Sequence, residues 1–295
     1  MSTALVPATL PAVRQPQPAD GDEWDRYVPM WLHGRPESTV EVYQPVIDDF
    51  RDWINRLPIR QITLKLLQDY ADRFQGQKPR TVERKLATVK SLLSFCHKTG
   101  LIPFDVGKAL RLPRIPDDLA GKILTVEDVQ RVIRMEPTPR NQVLIRVLYI
   151  SGIRASEAAG LRWMDVQPRD EGGQISVLGK GRKTRTIRLP PPVWRALQSI
   201  RPQKAGPDTP VFVTEQGKRM NRTFVTTVVA RAAKRAGLPQ NVSAHWLRHC
   251  HGTHALDRGA PLPLIQQTLG HADLSTTSRY LHVRPEQSSA TWLKA

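Results

Sequence analysis

From Glu23 to about Leu110 the apolar side chains recur at helical rather than strand spacing. Val40, Tyr43, Ile47, Phe50, Ile54 and Leu57 fall alternately three and four apart, a stripe down one face of a helix whose N-cap is read as Ser38. Pro45 lies inside that run and predicts a kink, because its ring removes an N–H and crowds the preceding turn. A further helix begins after Thr63. Another carries Pro79 in its first turn, aligns Val82, Leu86, Val89, Leu93 and Cys96 on one face, and stops at Gly100. Residues 22–110 are therefore expected to form a small helical bundle.

The pattern breaks at residues 111–122, RLPRIPDDLAGK, where two prolines, a glycine and mixed charge predict an interdomain linker. Beyond it Thr125 caps a helix bearing Val129, Val132 and Ile133, and Asn141–Ile150 reads as an apolar helix ending before Gly152. Gln174–Leu178 and Thr184–Leu189 read as two short strands, a hairpin around Gly179-Lys180-Gly181-Arg182. Helices resume after Pro191, over Asn221–Ala236 up to Gly237, after Ser243, near Leu262 and around Tyr280. Residues 123–295 thus read as an α+β domain, mainly α with a small β-sheet. At the other end, residues 1–21 scatter Pro7, Pro11, Pro16 and Pro18 among small and polar residues and read as a disordered arm.

Length and charge change this picture in two ways. A chain of 295 residues can hold two domains, each with its own core. The net charge of +17 points to a polyanionic partner, and it is unevenly spread: residues 1–120 carry 17 Lys and Arg against 15 Asp and Glu, residues 121–295 carry 27 against 12. Nucleic acid is the foremost reading, with acidic membranes or proteins as alternatives. Arg80, Arg84, Lys85 and Lys90 lie off the apolar stripe of their helix, where they could touch phosphates or form an ordinary solvated face. No apolar run is long enough to span a bilayer and the N-terminus lacks a secretory pattern, so a soluble, cytoplasmic protein with no membrane partner is expected. Cys96 and Cys250 are far apart in no pairing or ligand pattern and read as buried thiols.

Several polar residues are left unexplained by apolar periodicity. Arg154 follows a helix end at Ser151-Gly152-Ile153 and precedes Ser156-Glu157, which can cap the next helix and so fix the guanidinium near two helix termini. An ordinary arginine paired with a carboxylate is the alternative. Lys180 stands between two glycines at a hairpin tip, where a turn lysine is the plain reading. Ser243 can cap a helix whose His245 and Arg248 are three apart and share a face, joining a proton acceptor to a phosphate fork. His249, His251 and His254 invite a zinc reading, but no His-Glu-x-x-His pattern accompanies them and packing roles are expected. Finally, His271 precedes Tyr280 by nine residues within LGHADLSTTSRYLHV, where Tyr280 alone would read as a core or edge aromatic.

Taken in order, SGIRASEAAGLRW (151–163), VLGKGRKTR (177–185), HWLRHCHGTHALDRGA (245–260) and LGHADLSTTSRYLHV (269–283) resemble the tyrosine recombinase, or phage integrase, family, and the last segment looks like its Xer-type branch. The resemblance implies a helical core-binding, SAM-like domain over residues 22–110 and a catalytic domain over 123–295. It also implies six catalytic positions, Arg154, Lys180, His245, Arg248, His271 and Tyr280, each filled by the usual residue type. Tyr280 would be the nucleophile forming a 3′-phosphotyrosyl link, Arg154 and Arg248 the clamp on the phosphate oxygens, and His245 the base. His271 would donate a hydrogen bond to phosphate and Lys180 would be the general acid, with no cofactor and no metal. Arg219 and Arg222 are the chosen DNA contacts of the second domain. The implied partners are duplex DNA at a specific site and a tetramer, of one recombinase or with a paralogue, that passes through a Holliday junction. The tail with Trp292 and Leu293 would dock into a neighbour. Two rivals remain at this stage: a DNA-binding protein without catalysis, and a monomeric relaxing enzyme of the type IB topoisomerase kind.

Overall fold

The computed structural model describes residues 22–115, 119–179, 184–238 and 242–270. The chain divides into two compact units, Met1–Pro116 and Asp117–Ala295, the division falling inside residues 111–122.

The first unit consists of helices α1 (Glu23–Leu32), α2 (Glu37–Trp53), α3 (Leu64–Asp72), α4 (Pro79–Lys98) and a single turn, α5 (Val106–Ala109). Thr63 starts α3 by accepting from the Leu66 N–H, and α4 begins at Pro79 and ends before Gly100, whose φ of +78° is left-handed. The stripe Val82, Leu86, Val89, Leu93 and Cys96 is buried throughout. In α2 the expectation needs correction. Its first turn closes on the carbonyl of Pro36, which accepts from Thr39 and Val40, so the helix starts before Ser38 can cap it. Pro45 lies inside the helix, as its place in the apolar run requires. The core is aromatic, with Trp24, Phe50, Tyr70 and Phe74 meeting edge to face at centroid distances of 4.7–6.1 Å.

The second unit contains α6 (Val126–Arg134), α7 (Pro139–Ser151), α8 (Ala155–Gly160), strands β1 (Val166–Arg169), β2 (Gly172–Leu178) and β3 (Thr184–Leu189), then α9 (Pro191–Ser199), α10 (Arg222–Arg235), α11 (Ala244–Asp257) and α12 (Leu262–Leu269). Thr125 caps α6 and Asn221 caps α10, each accepting from the N–H three residues on; Ser243 stands at the N-cap of α11 without a side-chain cap bond. The sheet is antiparallel in the order β1-β2-β3, with Ile175 opposite both Val166 and Ile187. β1 was not foreseen from the sequence. Its core is aliphatic around Leu144, Ile145, Val147 and Leu148 of α7. A satellite cluster joins Leu119 to Leu256, Ile265 and Leu269, and the Leu124 N–H donates to Cys250 Sγ at 3.2 Å, so the start of the unit is sealed against α11 and α12. No helix among the described residues is long and apolar enough to cross a membrane.

Candidate active site

The centre of the site is set by the end of α7. Gly152 caps that helix with φ +61°, and a Cβ there would lie 2.6 Å from Leu269 and 2.9 Å from His251. Glycine is therefore required by conformation and by space. Its carbonyl accepts from Arg248 Nη1 at 2.6 Å, while Nη2 donates to the Leu269 carbonyl at 2.6 Å. Leu269 is the last residue of α12, so the guanidinium fills one of the acceptors that a helix end leaves open. Arg248 is 1% exposed, and a buried cation is tolerable only with such partners. In sequence its two acceptors precede Arg154 and His271 by two residues each, so one side chain from α11 gathers both motif segments.

Arg154 occupies the N-cap of α8. Glu157, rather than Ser156, completes that cap: its Oε2 accepts the Arg154 N–H at 2.7 Å and its Oε1 accepts Arg154 Nη1 at 2.9 Å. A second guanidinium, Arg185 of β3, binds both oxygens of the same carboxylate at 2.8–2.9 Å. Burial by itself would raise the Glu157 carboxyl, but the hydrogen bonds from Arg185 and from the Arg154 backbone, with the adjacent positive charge, outweigh it and hold the group below the usual carboxylate value. Arg154 is thus paired to a carboxylate and also open to solvent, with 37% of its side chain exposed.

His245 and Arg248, expected on one face of α11, differ in burial. The His245 ring is exposed at the first turn and meets His249 edge to face at 4.2 Å, while Arg248 turns inward. His251 and His254 face Tyr149 of α7, at 3.0 Å from its carbonyl and 2.9 Å from its hydroxyl respectively. Burial pushes His251 down to about 4 and lowers His254 too, which suits packing roles. Among the described residues no group of three or more His, Cys, Asp or Glu is placed to hold a metal ion. Lys180, His271, Tyr280 and the tail with Trp292 lie outside the described residues.

The phage integrase family pattern matches residues 122–287. The chain belongs to that family. It is a tyrosine recombinase, an enzyme that breaks and rejoins DNA. Among curated relatives it is 36% identical to the tyrosine recombinase XerC of Brucella suis over 262 residues, 85% of this chain and 78% of that one. To XerD of Pseudomonas aeruginosa it is 31% identical over 276 residues, 88% and 92% of the two chains. Its fold is similar to that of lambda integrase, solved as a tetramer bound to a Holliday junction, with TM-score 0.72 at 16% identity over 90% of this chain and 77% of that one.

The basic residues chosen as DNA contacts of this recombinase divide into two groups. Arg80 and Arg84 are exposed on α4, and Arg222 is exposed at the first position of α10. Arg219 is exposed as well, and Lys85 and Lys90 are half-buried. Lys85 places its ammonium 4.2 Å from the Phe74 ring centroid, Lys90 donates to the carbonyls of Lys108 and Leu110, and Arg219 Nε donates to the Ala159 carbonyl at 2.8 Å. Sequence reading took Glu157 only as a capping residue and passed over Arg185. The available signal for Arg185 was alternation, since it shares a strand face with Ile187 and Leu189, the two buried residues of β3.

Proposed function

We propose that this recombinase cuts duplex DNA at a specific site with Tyr280 as nucleophile, and that four protomers exchange strands through a Holliday junction. The observation that carries this reading is the buried Arg248 guanidinium, bound to the carbonyls that lead into the Arg154 and His271 segments. In the proposed step the Tyr280 phenol oxygen bonds to phosphorus as the bond to the deoxyribose 5′-oxygen breaks. The phenol proton passes to His245, and Lys180 protonates the departing 5′-oxygen. A 3′-phosphotyrosyl link and a free 5′-hydroxyl result, so the phosphodiester energy is conserved and no external energy source is needed. Arg154 and Arg248 stabilise the charge on the non-bridging oxygens, helped by a hydrogen bond from His271. Two guanidiniums do there what a divalent cation does at other phosphoryl-transfer sites, so cleavage is expected to survive exhaustive chelation; loss restored by Zn²⁺ or Mg²⁺ would overturn that expectation.

Residues 22–110 serve as the core-binding domain and 123–295 as the catalytic domain, with 111–122 as the linker that lets them close on a duplex in the cytoplasm. Arg80, Arg84 and Arg222 contact phosphates, and Lys85, Lys90 and Arg219 support the surfaces that carry them. The tail with Trp292 and Leu293 docks into a neighbouring protomer. Tyr280→Phe tests the central assignment. It removes one hydroxyl, so DNA binding persists while the protease-sensitive, detergent-resistant protein–DNA adduct disappears; an adduct that still forms refutes the nucleophile. Sequencing the DNA trapped on the wild-type adduct identifies the target site.

A further inference from the structure

Arg185 sits on the inward face of β3 with only 11% of its side chain exposed. An interior cation needs partners, and three acceptor atoms of two residues supply them. Its Nη1 and Nη2 fork onto the two oxygens of Glu157 at 2.9 and 2.8 Å, and its Nε donates to the Thr268 carbonyl at 2.8 Å. A Cβ built on Gly270 would stand 3.1 Å from Arg185 Cδ, so the same side chain also lies close against the backbone leaving α12. One residue thereby ties β3, the helix begun by Arg154, and the segment that runs into His271.

We infer that Arg185 is a positioning residue for strand cleavage, satisfying the buried Glu157 so that Arg154 is oriented by that carboxylate rather than captured by it. Glu157 is one negative charge between two guanidiniums, and the division of labour is unequal. Arg185 takes both oxygens in fork geometry and stays buried; Arg154 spends one Nη and its backbone N–H, and keeps much of its side chain in solvent. Without Arg185 the carboxylate, 5% exposed, has Arg154 as its remaining charged partner among these contacts. The guanidinium meant for phosphate then closes fully onto Glu157. The Thr268 carbonyl loses its donor at the same time. This inference rests on the proposed action of Arg154 at the phosphate.

The test is single-turnover cleavage by the full chain of a duplex whose sequence is recovered from the wild-type adduct. Arg185→Ala should slow cleavage by about 10- to 100-fold while DNA affinity stays within about twofold. Adding Glu157→Gln, whose neutral amide no longer captures Arg154, should recover at least about fivefold of that loss. In an Arg154→Ala background Arg185→Ala should cost less than about threefold more, whereas a merely structural role would multiply the two defects. Arg185→Lys preserves the charge if alanine does not fold. It should be slower by about tenfold, because a single ammonium cannot span both Glu157 oxygens and the Thr268 carbonyl. Wild-type cleavage by either Arg185 variant, or no recovery with Glu157→Gln, overturns the inference. Near-wild-type cleavage by Arg154→Ala overturns instead the role proposed for Arg154, so the two failures are told apart.

Discussion

The two units handle charge in opposite ways. Among the described residues Thr88 is the one buried polar side chain of the first unit, whereas the second buries Glu136, Glu157, Arg248 and His254 among others. The first unit keeps its cations outside and lays them over its aromatic rings: Arg35 lies 4.8 Å from the Trp31 centroid and Arg73 5.4 Å from that of Tyr70. Surface cations can be added or moved at little cost, which suits the role proposed for this unit, holding duplex DNA by many interchangeable contacts. Buried ones tolerate little displacement, because each needs fixed partners. That rigidity is what the proposed phosphate clamp needs. Burial alone does not mark chemistry, however. Glu136 accepts from Thr138 N–H at 3.3 Å, Asn141 Nδ2 at 3.1 Å and the Arg235 guanidinium, joining the start of α7 to α10 as a structural brace.

The sharpest way to break this contrast is Arg248→Ala. It leaves the Gly152 and Leu269 carbonyls without their donor inside the protein, at about 1–3 kcal/mol for each unsatisfied group, and removes half of the proposed clamp. Thermal unfolding should shift down by several degrees and cleavage should fall at least about 100-fold. An unchanged melting temperature would contradict the buried-network reading.

A smaller effect separates the units by pH. His251 in the folded chain takes up a proton only near 4, mainly because it is buried, whereas its ordinary value is 6.5. The unfolded chain therefore binds the extra proton first as the pH falls. Stability is whole above about pH 6.5 and declines toward pH 4, by on the order of 3 kcal/mol. Glu157, whose carboxyl is held below its ordinary value of 4.5, adds a further loss that begins as the pH falls through that value and is complete once its folded form is protonated. Melting curves of the wild type and of His251→Asn between pH 7 and 5 should diverge in slope, the variant being flatter; parallel curves would remove His251 as the cause.

The smallest effects are expected on the surface of α4. Lys90→Ala removes the donor to the Lys108 and Leu110 carbonyls and should cost about 1 kcal/mol in urea unfolding. Arg84→Ala, at an exposed position, should stay within about 0.5 kcal/mol in the same experiment. It should nonetheless weaken DNA binding and reduce the slope of log affinity against log salt by about 0.9, the signature of one phosphate contact. If Lys90→Ala changes only the salt slope and not the stability, the two roles are reversed.

Much of this architecture was legible because it is local. Thr63 and Thr125 announced helix starts through their own hydroxyls, and the stripe from Val82 to Cys96 announced its buried face through spacing alone. Elements defined by distant partners were not legible. β1 buries only Val166 of its four residues and contains Pro168, so nothing in its own composition marks it; pairing with β2 makes it a strand. The Arg248 motif could be seen, but not that its guanidinium would point inward to two helix ends. Lys90 could be placed off the apolar stripe, but not that its ammonium would meet a carbonyl eighteen residues on.

The seal between Leu119, Leu124 and the α11–α12 region bears on the order in which the protein is made. The buried residues of the first unit's core all lie at or before Leu110, with Leu112 packed against them, so this unit can fold while synthesis of the second continues. The second unit cannot do the same. Leu124 waits for Cys250, 126 residues further on, and Leu119 waits for Ile265 and Leu269. Until those arrive, Gly152 lacks the Arg248 guanidinium and α7 lacks the helix α11 that packs on it. The first unit can thus be complete while the second still lacks the segments that seal it.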